Sequence, residues 1–139
     1  MSKPIIKSIG PIEANAILDQ DPSAQLIDVR SKVEFDYVGH PLGALHVPWK
    51  EFPGWDENPD FAAAVATKLA ERGDASEDRA LLMLCRSGVR SLAAGEVLVR
   101  AGHIRVYNIE GGFEGERDAA QHRGNINGWR FDGLPWEQG

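Results

Sequence analysis

The sequence holds a single cysteine, Cys85, among 139 residues. No internal disulfide can form, and no zinc site that needs two or more thiolates can be built. Basic charge is scarce too: 15 Lys and Arg stand against 21 Asp and Glu, a net charge of −6. Nucleic acid and anionic membranes both demand a basic footprint, so neither is expected as a partner. No window approaches the roughly 20 apolar residues of a membrane-spanning helix. Lys3 has no apolar run behind it, so no secretory signal is expected. The expected location is the cytoplasm, where a lone thiol stays reduced. Repeats and low-complexity runs are lacking as well. What is there is 42% hydrophobic and 26% charged, which suits one globular domain, expected over residues 1–139. A domain of this size buries roughly two-thirds of its unfolded surface and needs no metal or disulfide to hold a core.

Short apolar strands alternate with helical stretches, the pattern of an α/β fold with a mostly parallel sheet. Strands are expected at residues 5–9, 24–29, 45–47, 80–84 and 104–109. The run at 80–84 is the most apolar and is expected at the sheet's centre. A helix is expected at 11–18, with Pro11 in its first turn. Another is expected at 61–72, where Phe61, Val65 and Leu69 recur every fourth residue and Gly73 stops the helix. The third, at 91–101, carries Leu92, Gly95 and Val99 on one side and Gly102 behind it. Ser31 and Glu34 have the spacing of a capping box. They open a short helix that carries Val33, Phe35, Tyr37 and Val38 and stops at Gly39. Residues 52–59 read as a loop and 73–79 as a polar connection.

The sharpest chemical feature is Cys85-Arg86-Ser87-Gly88-Val89-Arg90-Ser91. The cysteine stands at the carboxyl end of the best strand, where ligands bind in open α/β sheets. A loop with a glycine follows and runs into a helix. Such a loop points backbone N–H groups at one spot, and the helix dipole adds about 0.3–2 kcal/mol for a negative charge placed there. That environment favours a nucleophilic thiolate. Arg86 and Arg90 add two positive charges. Between Arg79 and Arg105 there are five arginines and one acid, Glu96, a local reversal of sign that suits an anionic substrate. A cysteine that merely fills the core is the competing account.

In order along the chain, four motifs resemble the rhodanese family of single-domain sulfurtransferases. The first is Leu26-Ile27-Asp28-Val29-Arg30 with Glu34-Phe35. The second is Gly39-His40-Pro41-Leu42-Gly43-Ala44 followed by Pro48. The third is the Cys85 loop. The fourth is Val106 to Gly112, then Trp129 and Gly133-Leu134-Pro135. The resemblance implies a rhodanese-like five-stranded parallel sheet flanked by helices on both faces. It implies that Cys85 takes up a sulfane sulfur as a persulfide and passes it on. The donor is then a small anion, thiosulfate or a persulfide, and the acceptor a thiol or a cyanide-like nucleophile. The N–H groups of Arg86, Ser87, Gly88, Val89, Arg90 and Ser91 are expected to cradle the persulfide, with Arg86 and Arg90 on the donor anion. No metal or organic cofactor is expected.

Two departures from the family pattern stand out. Proline falls at 41 rather than 42. Residues 113–128 separate Gly112 from Trp129, which reads as an insertion that acts as a lid, a docking surface or mere decoration. Related phosphatases and arsenate reductases carry a longer loop, with a His before the cysteine and an Arg six residues after it. Here Leu84 precedes Cys85, Arg90 comes five residues after it, and Ser91 is sixth, so sulfur transfer is favoured over phosphate chemistry. A relay module fed by a protein persulfide is the alternative, with protein donors or acceptors as partners. A regulatory domain without catalysis ranks lower, because the cysteine is kept.

Supporting roles are expected nearby. Asp28 is expected to hold the loop backbone, and Arg30 to pair with Glu34 at i, i+4. His40 is expected to make a turn hydrogen bond. His46, His103 and His122 lack a common ligand spacing. Trp129 reads as core, Trp49 and Trp55 as interface or pocket wall, and Glu96 as solvated.

Overall fold

A computed structural model describes residues 6–51, 54–73 and 78–138. Ile5 of the expected first strand, Phe52 and Pro53 of the expected loop, and 74–77 of the polar connection lie outside the described residues. The elements run β1 (Lys7–Ile9), α1 (Pro11–Gln20), β2 (Gln25–Asp28), a π turn (Glu34–Val38), β3 (His40–Pro41), β4 (Leu45–His46), β5 (Lys50–Glu51) and β6 (Asp56–Glu57). Then come α2 (Phe61–Glu71), β7 (Leu81–Leu84), α3 (Val89–Arg100), β8 (Val106–Ile109) and β9 (Trp136–Glu137).

The main sheet has the order β1-β8-β7-β2-β4, and every pairing in it is parallel. The apolar run β7 is the central strand, as its composition predicts. Strands alternate their side chains across the sheet, and β7 divides accordingly. Leu81, Met83 and Cys85 join Phe61, Val65 and Leu69 of α2 and Ala94 and Leu98 of α3 on one face. Leu82 and Leu84 join Ala14 of α1, Phe113 and Trp129 on the other. Helices therefore cover both faces, and β7 must be apolar at every position.

Two small antiparallel pairs complete the frame. β3 pairs with β9, and β5 pairs with β6, the latter inside the stretch expected to be plain loop. The capping box forms: Ser31 N–H and Oγ–H donate to Glu34 Oε1, and Glu34 N–H donates to Ser31 Oγ. The turn it opens is a π turn rather than an α-helix.

Three expectations about packing are corrected. The inner face of α3 is Ser91, Ala94, Gly95 and Leu98, while Leu92 is exposed. Trp49 belongs to the core, with its ring edge-on to Phe61 at 5.4 Å, and is no pocket wall. Arg30 does not pair with Glu34; it pairs with Asp28, Nη2 to Oδ2 at 2.7 Å. No helix among the described residues is long and apolar enough to cross a membrane.

Candidate active site

Because the sheet is parallel, the carboxyl ends of β2, β4, β7 and β8 share one edge. Cys85 leaves β7 there. Its Sγ accepts the Gly88 N–H at 3.0 Å. Gly88 has φ +109°, a conformation open to glycine, and this turns its amide toward the sulfur. The next residue begins α3, whose first N–H groups have no partner within the helix. Ser91 Oγ lies 3.3 Å from Sγ and donates to Asn108 Oδ1 at 2.5 Å. Asn108 Nδ2 donates to the Gly88 carbonyl at 3.1 Å. Cys85, Gly88, Asn108 and Ser91 thus form a closed ring of contacts that fixes the loop against β8.

A second fastening comes from the stretch after β8. Phe113 N–H donates to the Cys85 carbonyl at 2.8 Å, and Glu114 and Gly115 N–H groups donate to the Arg86 carbonyl at 3.0 and 3.2 Å. Gly112 makes this approach possible. A Cβ there would meet the Cys85 carbonyl oxygen at 2.4 Å, and its φ of +59° is again a glycine conformation.

Above the sulfur lies a cleft of about 430 Å³ lined by Lys50, Trp55, Cys85, Arg86, Ser87, Val89 and Arg90. Its positive charge is arranged unequally. Arg86 is exposed, and no described residue pairs with its guanidinium. Arg90 is clamped: Nη1 and Nη2 donate to the two Glu34 oxygens, both at 2.7 Å, and its Cζ stands 5.4 Å from the centre of the Trp55 ring. Burial opposes the Arg90 cation, but the Glu34 hydrogen bonds and charge overcome it and hold the guanidinium above its ordinary range, with smaller help from Cys85 and Asp28. Burial likewise opposes the Glu34 carboxylate, and Arg90 and Ser31 overcome it, so its carboxyl titrates below the ordinary range.

Of the residues singled out in the sequence, Cys85, Arg86, Ser87, Val89 and Arg90 line one cleft, while Gly88 and Ser91 contact the Cys85 sulfur and Ser91 reaches Asn108 behind the loop. Asp28 and Arg30 stand under it rather than in it. Asp28 accepts the Arg30 N–H and Nε–H, and its carboxylate makes no hydrogen bond to residues 86–91. His40 makes its turn contact, Nδ1–H to the Phe35 carbonyl at 3.0 Å. Sequence reasoning missed Glu34 as the Arg90 clamp, Lys50 on the rim and Asn108 behind the loop. Asn108 did carry a signal, as a polar residue in an otherwise apolar buried strand.

The fold and this site define an α/β protein with a cysteine loop closed onto a helix N-terminus at the centre of a parallel sheet. Residues 11–118 match the Rhodanese-like domain family, and the chain belongs to it. The crystal structure of Rv0390 from M. tuberculosis is 39% identical, with a TM-score of 0.82, over 96% of this chain and 98% of that one. The RP600 homolog of Rickettsia rickettsii is 30% identical over 95% of this chain and 98% of its own length. The polysulfide-sulfur transferase homodimer of Wolinella succinogenes shares the fold at 23% identity, with a TM-score of 0.62, over 96% of this chain and 80% of that one.

Proposed function

We propose that the protein is a sulfurtransferase in which Cys85 carries a sulfane sulfur between an anionic donor and a nucleophilic acceptor. The observation that carries this reading is the Gly88 N–H directed at Cys85 Sγ on the floor of a cleft rimmed by Lys50, Arg86 and Arg90. With thiosulfate as donor, the Cys85 thiolate attacks the outer sulfur. The new S–S bond forms as the donor's S–S bond breaks, and sulfite leaves with the electron pair. The terminal sulfur of the persulfide is then anionic, and the Gly88 amide and the first-turn amides of α3 stabilise it. An acceptor nucleophile takes that sulfur, and the electron pair returns to Cys85. Arg86 is the arginine free to bind the donor's oxygens; Arg90, with both terminal nitrogens on Glu34, contributes a fixed charge. The fold relative from W. succinogenes, a polysulfide-sulfur transferase, supports the same class of chemistry.

A second reading has an observation of its own. Val89, on the cleft wall, is 77% exposed, an apolar side chain at the mouth of the site suited to a protein that delivers or collects sulfur.

The test is intact mass after incubation with thiosulfate. A gain of about 32 Da in wild type and none in Cys85→Ser is expected from covalent catalysis at this thiol. The same mass gain in Cys85→Ser, or sulfur transfer retained by that variant, which has no other cysteine, sinks the mechanism. No gain in wild type removes thiosulfate as donor and favours loading by a protein persulfide.

A further inference from the structure

Behind the cysteine loop, one hydroxyl proton has two acceptors within reach. Asn108 of β8 is buried there, and its amide is held one way round. The Gly88 carbonyl can only accept, so the amide nitrogen faces it, Nδ2 to O at 3.1 Å. The amide oxygen is thereby turned to Ser91, whose side chain is fully buried, and accepts the Ser91 hydroxyl at 2.5 Å. A hydroxyl has one proton to give. With that proton on Asn108 Oδ1, the Ser91 oxygen presents lone pairs to Cys85 Sγ, 3.3 Å away.

Lone pairs at that position suit a neutral sulfur. A thiol donates its S–H to the Ser91 oxygen, and a cysteine sulfur bonded to a sulfane sulfur carries no charge of its own. A thiolate meets the same lone pairs. Apart from Ser91, its one hydrogen-bond donor among the described residues is the Gly88 N–H at 3.0 Å. It gains a second when Ser91 turns its proton away from Asn108, and the buried Oδ1 then loses its donor.

We infer that Asn108 is a positioning residue: by holding the Ser91 proton away from Cys85 Sγ, it disfavours the empty thiolate and so favours the cysteine that carries sulfur. This rests on the sulfurtransferase reading and adds to it the residue that sets how long the site keeps its cargo. On discharge the acceptor's nucleophilic atom bonds to the terminal sulfur, the S–S bond to Cys85 breaks, and its electron pair returns to Sγ. The charge arrives opposite the Ser91 lone pairs, so the step is slowed until the hydroxyl turns. The Ser91 proton changes direction and not owner, and no outside oxidant or reductant is needed. The charged groups that face the sulfur are Lys50 of β5, Arg86 in the loop and Arg90 of α3, with Glu34 and Asp28 beyond Arg90. Substitutions at Asn108 and Ser91 leave all of them in place.

The experiment reads the Cys85 thiolate by its ultraviolet absorbance, with Cys85→Ser as baseline, at a pH where the wild-type thiol is half ionised. Asn108→Ala releases the Ser91 hydroxyl to the sulfur and is expected to raise the thiolate-to-thiol ratio about tenfold, the worth of one hydrogen bond to a charged group. Ser91→Ala takes no donor from the sulfur and is expected to leave the ratio level or higher. In the double variant Asn108→Ala has no proton left to release, so the ratio is expected to equal that of Ser91→Ala. Discharge of the persulfide to 2-mercaptoethanol should quicken most in Asn108→Ala. A fall in thiolate in Ser91→Ala overturns the inference, because the proton is then on the sulfur, and this variant decides alone if Asn108→Ala does not fold. An Asn108→Ala effect that persists without Ser91 also overturns it, since it marks a loosened Gly88 loop. An unchanged ratio or an unquickened discharge in Asn108→Ala does the same. A wild type that takes up sulfur from neither thiosulfate nor a persulfide donor overturns the sulfurtransferase reading and the cargo role with it, while the thiolate ratios still locate the Ser91 proton.

Discussion

Two arginine–carboxylate pairs lie within the same part of this molecule and do different work. Asp28–Arg30 is sealed, with both side chains 0% exposed, and Glu34–Arg90 lies at the cleft, 14% and 17% exposed. The sealed guanidinium bonds through two of its three nitrogens, and its Nη1 is buried with no hydrogen-bond partner among the described residues. It bonds Asp28 through Nε and Nη2, reaches the Gly39 carbonyl at 2.6 Å, and lies 4.5 Å from the centre of the Phe113 ring. Arg30 thus ties the end of β2 to the exit of the π turn and the root of the 113–128 loop. Arg90 ties Glu34 and Trp55 together at the cleft that holds Cys85. The same ion pair serves as a fastener when water is excluded and as a positioning device when one side stays open.

The largest expected effect breaks the sealed pair. Arg30→Met leaves Asp28 buried and without its partner, at a cost of about 3–5 kcal/mol. Urea unfolding measures it, and a loss below about 1 kcal/mol would show that the pair is not a fastener. Asp28→Leu combined with Arg30→Met removes both charges, and is expected to recover part of the loss. No recovery would place the cost in the contacts to Gly39 and Phe113 instead.

The next effect is smaller and depends on pH. Glu34→Gln is expected to cost about 1–2 kcal/mol at pH 7, the usual worth of hydrogen bonds to charged groups near a surface. The Glu34 carboxyl titrates lower in the folded protein than its ordinary 4.5. Its contribution is therefore fully present above about pH 4.5 and is lost as pH falls through the lower folded value. Melting curves of wild type and variant should converge below that point. A gap that stays constant from pH 7 to pH 3 would mean that the pair's charge does not contribute.

The contrast between the pairs also marks what the sequence could disclose. The centre of the sheet, the capping box and the cysteine loop are local patterns, and each was legible in its own few residues. The partner of Arg30 was not. An i, i+4 pair needs both residues inside one helix, but the turn opens after Ser31 and Arg30 lies in the bend before it, two residues past β2, where its N–H and its guanidinium both return to Asp28. The phase of α3 was misjudged for a related reason. Ser91 turns inward to reach Cys85 and Asn108, and that rotation leaves Leu92 outside. Lys50 reaches the cleft from β5, a two-residue strand too short for any periodicity to encode.

The smallest effect concerns the other half of the Arg90 clamp. Trp55 is 42% exposed and sits at φ +58°, a left-handed conformation unfavourable to a large side chain. Its N–H donates to the Glu51 carbonyl at 2.7 Å, which closes the turn between β5 and β6. Asparagine tolerates this conformation better. In Trp55→Asn, relief of about 1 kcal/mol of backbone strain opposes the loss of about 0.5–1 kcal/mol from the Arg90–indole contact. Stability should therefore move by less than about 1 kcal/mol, while the rate of sulfur loading on Cys85 falls, because Arg90 loses its upper support and the cleft loses a wall. Thermal melts and loading rates, measured on the same preparation, separate the two quantities. A fall in stability with unchanged loading would make Trp55 a packing residue and leave Glu34 alone as the group that positions Arg90.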